Sequence, residues 1–450
     1  MRKLLLASVA VLGGTLALAG NAQAQWAGNS YTNPAGQAAV NGPGFATALP
    51  GYGAPLAPST MTVHVGGRVQ VYFGTASDSG RNMGSNKTAE WGIQQYSRIY
   101  PSVDAMAANG LQYGAALEIR QDNGAPAKAG ASGAANSRGA LYFRREYLYF
   151  GTPNLGYLRI GSTDQPTSLM LTGNFENFND GGWNGDVPGL ISGAAQAQWP
   201  FQDVGNLYTT NKFVYLSPQF FNLIDFGLSF EPGTANEGSN GNCSYAQPGC
   251  DLLSSTNSVA DAARRRNTIE ALARLRTSMG PMGVAATIAY DHSGKMGTTT
   301  GATPFKDQNF LDGGLVLSYG GLAVGGHATY GDYVPFYGSL PYKGARKSFA
   351  WLLGSSYAFG PAIVGVSYFQ FQNAGAWSPA NSGLVGRSQN EVGLAAGGTL
   401  NVAPGTVLYL SYLYGHRHQV GDNILTGSVG TLAGNNVRSQ AIAVGTQVHW

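Results

Sequence analysis

The sequence predicts an all-β chain that folds as a transmembrane antiparallel β-barrel of about 16 strands. Three observations support this prediction: apolar and polar residues alternate along many short segments, tight turns alternate with long connections, and charged residues are few. Only 11% of the residues are Asp, Glu, Lys or Arg, whereas about 25% is typical of soluble domains. A barrel in a membrane fits this composition, because only every second residue of each strand needs to be apolar.

The N-terminal residues carry the features of a secretory signal peptide. Two basic residues precede an apolar run over 4–18, and an Ala-Gln-Ala sequence that ends at Ala24 provides the small residues of a cleavage site. An uncleaved membrane anchor is the alternative, but the apolar run is at the short limit for a span. We therefore expect 1–24 to be a signal peptide that is removed on export.

Residues 25–60 differ in composition from the rest of the chain. They are rich in Gly, Ala, Pro, Asn and Thr, contain no charged residue, and show no sustained period of 2 or 3.6. This composition is typical of a flexible segment. We interpret 25–60 as a periplasmic extension, with a plug or a peptidoglycan contact as the alternative, and 61–450 as the barrel.

A pattern of alternating side chains begins at Met61 and predicts the strands. Apolar residues occupy one face of the first segment and polar residues the other, as expected for lipid-facing and lumen-facing sides. The apolar face has Val63, Val65, Val69, Val71 and Phe73, and the polar face has His64, Arg68, Gln70 and Tyr72. The strands are predicted near 61–73, 98–105, 111–120, 139–151, 156–164, 207–217, 223–231, 266–278, 283–292, 310–319, 322–331, 346–358, 362–373, 388–401, 405–416 and 438–450.

The connections between these strands alternate in length. Outer-membrane barrels have short turns at one rim of the barrel and long loops at the other rim. A soluble β-sandwich would also show alternating strands, but a closed soluble core gives no reason for alternation to continue to Trp450. The tight turns are predicted at 109–110, 152–155, 279–282, 320–321, 359–361 and 402–404.

Two cysteines, Cys243 and Cys250, are separated by a short polar segment. In an exported chain a disulfide is the expected state of such a pair. A metal site would need about four ligands, and that segment holds neither His nor further Cys. We therefore expect a disulfide here and no metal.

Other functional classes have little support in the sequence. The near-neutral charge of the chain after residue 24 argues against a nucleic-acid partner. No G-x-S-x-G motif and no Walker A sequence occur, which argues against a hydrolase of that type and against nucleotide-driven transport. The histidines are scattered, and a metal site at the closely spaced His416 and His418 is a weak alternative. We expect no catalytic residues and no cofactor.

Three segments carry a resemblance to the Gram-negative trimeric porins, which extends from about Met61 to Trp450. They are AANGLQYGAALEIR (107–120), NLGYLRIGSTDQP (154–166) and NKFVYLSPQFFNLIDFGLSFEPG (211–233). The sequence departs from the family at 222–225, where a Gly-Phe pair is frequent. It also ends in Trp450, where family members usually have Phe as the aromatic assembly signal.

The resemblance implies a homotrimer of 16-stranded barrels in the outer membrane. It implies a water-filled channel for passive diffusion of small hydrophilic solutes and ions. Lipopolysaccharide, outer-membrane lipid and the barrel assembly machinery are the implied partners. A substrate-selective porin with a saturable solute site is the nearer alternative, and a barrel enzyme or an adhesin is more distant.

The resemblance also implies that the third external loop folds into the lumen and narrows it. On the predicted strands this loop is 165–205, and its charges are all acidic: Glu176, Asp180, Asp186 and Asp203. A solvated acidic surface loop is the alternative. The arginines predicted to line the opposite wall are Arg68, Arg98, Arg120, Arg159, Arg274 and Arg276.

A transverse field between these two sets of charges is the most specific expectation. Arg120 and Arg159 are expected to be the chief arginines that face the three acids Glu176, Asp180 and Asp186. Some arginines are alternatively paired with acids predicted on the same face, namely Glu118, Glu146 and Glu270.

Overall fold

The computed structural model describes residues 57–80, 89–121, 141–176, 178–201, 209–233, 256–257, 265–295, 297–298, 304–334 and 340–450. The predicted signal peptide, nearly all of the predicted extension, Asp203 and both cysteines lie outside them.

Within the described residues, sixteen strands form one closed antiparallel barrel, in which each strand pairs with its neighbours in chain order. The predicted fold class is confirmed. The barrel strands are β1 (Thr60–Asp78), β2 (Gly92–Met106), β3 (Gln112–Gln121), β4 (Leu141–Thr152), β5 (Gly156–Asp164), β6 (Thr209–Leu216), β7 (Ile224–Gly233), β9 (Arg265–Met279), β10 (Met282–Lys295), β12 (Gln308–Tyr319), β13 (Leu322–Asp332), β14 (Ser348–Phe359), β15 (Ala362–Asn373), β16 (Gln389–Ala403), β17 (Thr406–His418) and β20 (Asn436–His449).

Four two-residue strands lie in the connections. β8 (Thr256–Asn257) pairs with β11 (Gly297–Thr298), and β18 (Asp422–Asn423) pairs with β19 (Ser428–Val429). No helix in the described part of the chain is long and apolar enough to cross a membrane.

The two faces of the barrel differ as the alternating pattern predicts. On β1, Val63 and Val65 are 67% and 62% exposed, whereas Arg68 and Gln70 are 4% and 2% exposed. Apolar side chains therefore cover the outer face, and polar side chains cover the inner face. This arrangement places the apolar side chains against lipid and keeps charge away from it.

The six predicted tight turns are confirmed, since each falls between two paired strands. The connection from β6 to β7 is also short, and it contains the departure from the family at 222–225. There Asn222 has a φ of 55°, in the left-handed region. Asn is one of the few residues other than Gly that adopts this conformation readily. Phe221 beside it also has a positive φ, of 54°, so the turn contains one residue for which this conformation is unfavourable.

A β-bulge on β4 changes the side on which its residues lie. Glu118 pairs with Arg145 and Ile119 with Phe143, so Arg144 is the extra residue. Arg144 and Arg145 are both buried, and Glu146 is exposed on the outer face. The sequence interpretation that placed Glu146 on the inner face is therefore wrong, because strict alternation does not include the extra residue of a bulge.

The barrel closes where β20 pairs with β1. Beyond that ladder, the backbone groups of Trp450 and Gly67 exchange two hydrogen bonds of 3.1 Å. The indole ring of Trp450 lies over Gly67, where an added Cβ atom would collide with it. The seam therefore ends in an aromatic ring packed on a glycine.

Candidate functional site

The connection from β5 to β6 is packed against the inner face of the barrel. It contains a short α-helix (Pro166–Leu169) and three 3₁₀ helices (Gly182–Asn184, Val187–Leu190 and Gly193–Ala195). The α-helix contacts β7 and β9, the first 3₁₀ helix contacts β16 and β17, the second contacts β20, β1 and β2, and the third contacts β17 and β20. We call the described part of this connection, 165–176 and 178–201, the inner loop.

Glycines on the inner face provide room for the side chains of the inner loop. A Cβ atom added to Gly354 would lie 2.5 Å from Phe175 Cγ, and one added to Gly365 would lie 2.6 Å from Phe178 Cγ. Both phenylalanine rings are almost fully buried. The absence of a side chain at these two wall positions therefore lets the loop approach the barrel backbone directly.

Side-chain hydrogen bonds hold the inner loop at several points around the barrel. Near its start, the Thr167 hydroxyl donates to Glu270 Oε1 at 2.8 Å, and further along Trp183 Nε1 donates to the Leu394 carbonyl at 3.1 Å. Near its end, the backbone N–H of Gln198 donates to Glu391 Oε2 at 2.9 Å. The loop is therefore fixed to strands β9 and β16 by polar contacts as well as by aromatic packing.

We expect Gly365→Val to loosen the inner loop, because the new side chain would occupy the position of the Phe178 ring. Overpacking of this kind typically costs about 1–3 kcal/mol. Faster proteolysis within the loop and larger fluctuations of the single-channel current would report the change. Gly383→Ala is the control, since no atom lies within 4 Å of the added Cβ there. Equal protease resistance of the two variants would contradict the role of Gly365.

The acidic residues of the inner loop have different surroundings. Asn174 and Asn184 donate hydrogen bonds to Glu176. Asp180 Oδ2 accepts the backbone N–H groups of Asp186 and Val187, both at 3.0 Å, and the Ser411 hydroxyl donates to its other oxygen. Burial and the neighbouring Asp186 carboxylate raise the pKa of Asp180 to about 6.

Asp186 of the inner loop forms an ion pair with the barrel wall, with its Oδ1 3.6 Å from Arg98 Nη2. Arg98 is the direct cross-strand partner of both Arg68 and Arg120. All three arginines are buried on the inner face. We call Arg68, Arg98 and Arg120 the arginine row.

Like charges directly opposite each other on neighbouring strands destabilise a sheet. The arginine row is therefore a local conflict of the kind that is common at functional sites. Beyond it, the bulge adds two more guanidinium groups, and Glu118 forms ion pairs with Arg120, Arg144 and Arg145. Arg145 Nε also lies 2.5 Å from Asp164 Oδ2. The inner face of β1–β4 thus carries five arginines, which outnumber the acids near them.

The other three arginines of the predicted set have separate contacts. The guanidinium of Arg159 stacks over the Tyr147 ring, with its Cζ 5.0 Å from the ring centre. Arg274 and Arg276 both bind Asp225, with Nη2 to Oδ2 distances of 2.8 and 2.6 Å. These two lie between Leu272, which packs with the α-helix of the inner loop, and the tight turn that follows β9.

Sequence reasoning did not single out Arg144, Arg145 or Asp164. Adjacent arginines in a strand were a usable signal, since a charge on the lipid face costs about 2–4 kcal/mol near mid-membrane and favours a bulge that turns both inward. No group of three or more His, Cys, Asp or Glu in the described residues could hold a metal. His416 and His418 instead contact Asn436 and the Asn435 carbonyl.

A closed antiparallel barrel with an apolar outer face, a charged inner face and a long connection packed inside defines a class of protein, the channels of bacterial outer membranes. A sequence profile described as Gram-negative porin matches residues 7–418. The chain therefore belongs to the Gram-negative porin family. It is an outer-membrane channel protein and not an enzyme.

Solved structures share the fold of this chain at low sequence identity. An anion-selective porin from Comamonas acidovorans is 15% identical, covers 87% of this chain and 100% of its own, and has a TM-score of 0.52. OmpF of Salmonella typhi in complex with daunomycin is 15% identical, covers 87% of this chain and 98% of its own, and has a TM-score of 0.52. The trimer form of in-vitro folded OmpT from Vibrio cholerae is 11% identical, covers 87% of this chain and 100% of its own, and has a TM-score of 0.50. No curated protein sequence matches the chain.

Proposed function

We propose that this porin passes small hydrophilic solutes and ions by passive diffusion, with a preference for anions. The arginine row is the observation that carries the proposal. The contacts of the inner loop described above fall on β7, β9, β14–β17, β20, β1 and β2. In this proposal the inner loop forms the constriction, and the remaining passage lies along the arc of wall from β1 to β5, of which the described contacts of the inner loop reach β1 and β2.

Arginines outnumber acids on this arc. Guanidinium groups stay charged at any relevant pH, and low-dielectric walls concentrate their field in a narrow passage. A net positive passage raises the local concentration of anions. The acids on this arc are Asp104, Glu118 and Asp164, and Asp186 of the inner loop faces it. The arginines of the arc are Arg68, Arg98, Arg120, Arg144, Arg145 and Arg159.

Planar-bilayer measurements in a gradient of KCl test this proposal. We expect the sign of the reversal potential to correspond to a preference for chloride over potassium. The preference should be smaller at high salt, because the screening length falls from about 10 Å at 0.1 M to about 3 Å at 1 M. A cation-selective reversal potential would contradict the proposed role of the arginine row, and the absence of any conductance would contradict the proposed diffusion.

We also propose that the mature protein is a homotrimer. Glu146 supports this, because it lies on the outer face in the middle of β4, where contact with lipid would cost free energy. A second copy packed on β4 would remove this carboxylate from lipid.

Unheated samples in detergent gels should migrate as a trimer and heated samples as a monomer, because closed barrels in a tight oligomer resist detergent. The circular dichroism spectrum of the unheated protein should be all-β. Chemical crosslinking of the native membrane should give the same stoichiometry. A monomer under both conditions would contradict the trimer.

Three further proposals concern parts of the chain outside the described residues or partners absent from it. Cleavage after Ala24 precedes assembly, Cys243 and Cys250 form a disulfide in an external loop, and the chain has lipopolysaccharide, outer-membrane lipid and the barrel assembly machinery as partners. Thiol labelling of protein taken directly from membranes tests the disulfide, and stoichiometric labelling would contradict it.

A further inference from the structure

A cavity of about 370 Å³ lies at the rim of the barrel that holds the long connections. Its walls come from the connections after β13, β15 and β17, together with residues of β16, β17 and the inner loop. This volume is within the range of about 300–1,000 Å³ that is usual for small-molecule sites. A solute that enters the channel from the side of the long connections passes this cavity, which we call the rim pocket.

Aromatic side chains form the apolar part of the rim pocket. Tyr333, Tyr342 and Trp377 line it, and Tyr333 and Trp377 are almost fully buried. The guanidinium of Arg387 covers the Trp377 ring, with its Cζ 5.5 Å from the ring centre, and its Nη2 donates to the Gly344 carbonyl at 2.5 Å. The aromatic wall is therefore held in place from behind.

Five lining residues carry a buried polar atom that forms no hydrogen bond within the described residues. Tyr333 Oη and Trp377 Nε1 can donate, and Gln198 Oε1 and Asp422 Oδ1 can accept. The fifth atom, Arg417 Nε, already faces Glu391 in an ion pair. A buried polar atom without a partner destabilises a fold, and natural structures leave few of them. Donors and acceptors close to aromatic rings are the groups that bind a ring bearing several hydroxyl groups.

The cations of the rim pocket already have partners. Arg346 Nη1 donates to the Ser388 hydroxyl at 2.6 Å and its Nη2 donates to Gln372 Oε1 at 3.2 Å. Arg417 lies 3.2 Å from Glu391 Oε2. A negatively charged ligand would have to compete with these contacts, so the unsatisfied groups favour a neutral one.

The rim pocket is also preorganised. The Gln419 side chain joins two of its connections, because its Oε1 accepts the Ala376 N–H at 2.9 Å and its Nε2 donates to the carbonyls of Ala374 and Gly386, both at 2.9 Å. A site that is fixed before its ligand arrives loses less conformational entropy on binding.

We propose that the rim pocket binds a neutral hydroxylated ring, of the size of a mono- or disaccharide, at the entrance of the channel. This inference rests on the proposed diffusion function and names one class of solute that the channel concentrates at its mouth. A site built to hydrogen-bond hydroxyl groups discriminates strongly against analogues that lack them.

Two measurements on the intact trimer test the inference. Hexoses and disaccharides are titrated into the detergent-solubilised protein by calorimetry, and the same sugars are added to single channels in a planar bilayer. We expect saturable binding and a saturable reduction of current, whereas an acyclic polyether of equal mass reduces the current without saturation.

Tyr333→Phe removes the hydroxyl group and keeps the ring, and Trp377→Phe replaces the indole by a smaller aromatic ring without an N–H group. Each variant should raise the sugar concentration at half-saturation by roughly threefold to tenfold, which is the effect of losing one net hydrogen bond. Trp91→Phe, which removes an indole N–H from a ring stacked on Phe73 at the outer surface, is the matched control and should leave half-saturation unchanged. Unheated gel migration verifies that each variant is folded.

The outcomes separate the rim pocket from the proposed function. Normal conductance without sugar binding would overturn the pocket and leave the diffusion channel intact. Sugar binding in detergent without any conductance would support the pocket and overturn the channel proposal. Saturation by an aromatic carboxylate but not by sugars, or unchanged half-saturation in both pocket variants, would overturn the inference as stated.

Discussion

Replacement of Arg98 and Arg120 by glutamine should move the reversal potential of the channel towards cations. Both side chains belong to the arginine row, and two unit charges about 4 Å apart interact by about 1 kcal/mol even in water. The permeability ratio of anions to cations should therefore fall by roughly twofold to fivefold at low salt. Glu118 keeps Arg144 and Arg145 as partners in this variant, so the barrel should remain folded.

Asp186→Asn should shift the reversal potential in the opposite direction, because it removes the carboxylate 3.6 Å from Arg98. Arg438→Gln is the control for both changes, since Arg438 is exposed on β20 and lies away from the inner face. If the reversal potential in dilute salt is the same for all of these variants and the native protein, the arginine row does not line the passage.

Trp450→Ala should lower the amount of folded porin in the membrane severalfold, while Trp450→Phe should preserve it. The indole ring covers Gly67 at the seam between β1 and β20, and an aromatic ring packed over a strand glycine stabilises that glycine. The direct loss of stability should be about 1 kcal/mol. We expect the larger effect to come from assembly, because the closing strand carries the proposed aromatic signal.

Trp91→Ala is a matched control, because Trp91 and Trp450 are both 59% exposed. Its removal should reduce stability by a similar amount and leave the level of assembled protein nearly unchanged. Quantitative blotting of outer-membrane fractions, together with heat-modifiable gel migration, distinguishes the two effects. Native levels of the Trp450→Ala protein would show that the residue is not the assembly signal.

The number, order and faces of the strands were predictable because they depend on local sequence. A period of two residues fixes which side chains point outward, and lipid imposes a penalty on errors of alternation. The prediction failed at Glu146, where one extra residue in β4 reverses the pattern. Nothing local marks this bulge except the adjacent Arg144 and Arg145.

The contacts of the candidate site were harder to predict, because they join residues far apart in the chain. Arginines were placed on the inner face by alternation, but their partners depend on strand register. Asp225 binds Arg274 and Arg276, and Asp186 forms an ion pair with Arg98, contacts that alternation alone does not specify. The expected role of Arg120 and Arg159 as chief partners of the loop acids stays a prediction. Two further features also depend on tertiary structure alone. One is the packing of the inner loop on wall glycines, and the other is the rim pocket, which three separate connections form.

The position of one 3₁₀ helix has a consequence for the order of folding. Val187–Leu190 contacts β20, β1 and β2, so it bridges the seam whose paired residues include Arg68 and His449. Pairing of segments so distant in the chain forms slowly, because a large loss of chain entropy precedes it. We therefore expect the ends of the barrel to join and the inner loop to dock in a single late cooperative event, with the loop serving as a template on which the first and last strands meet.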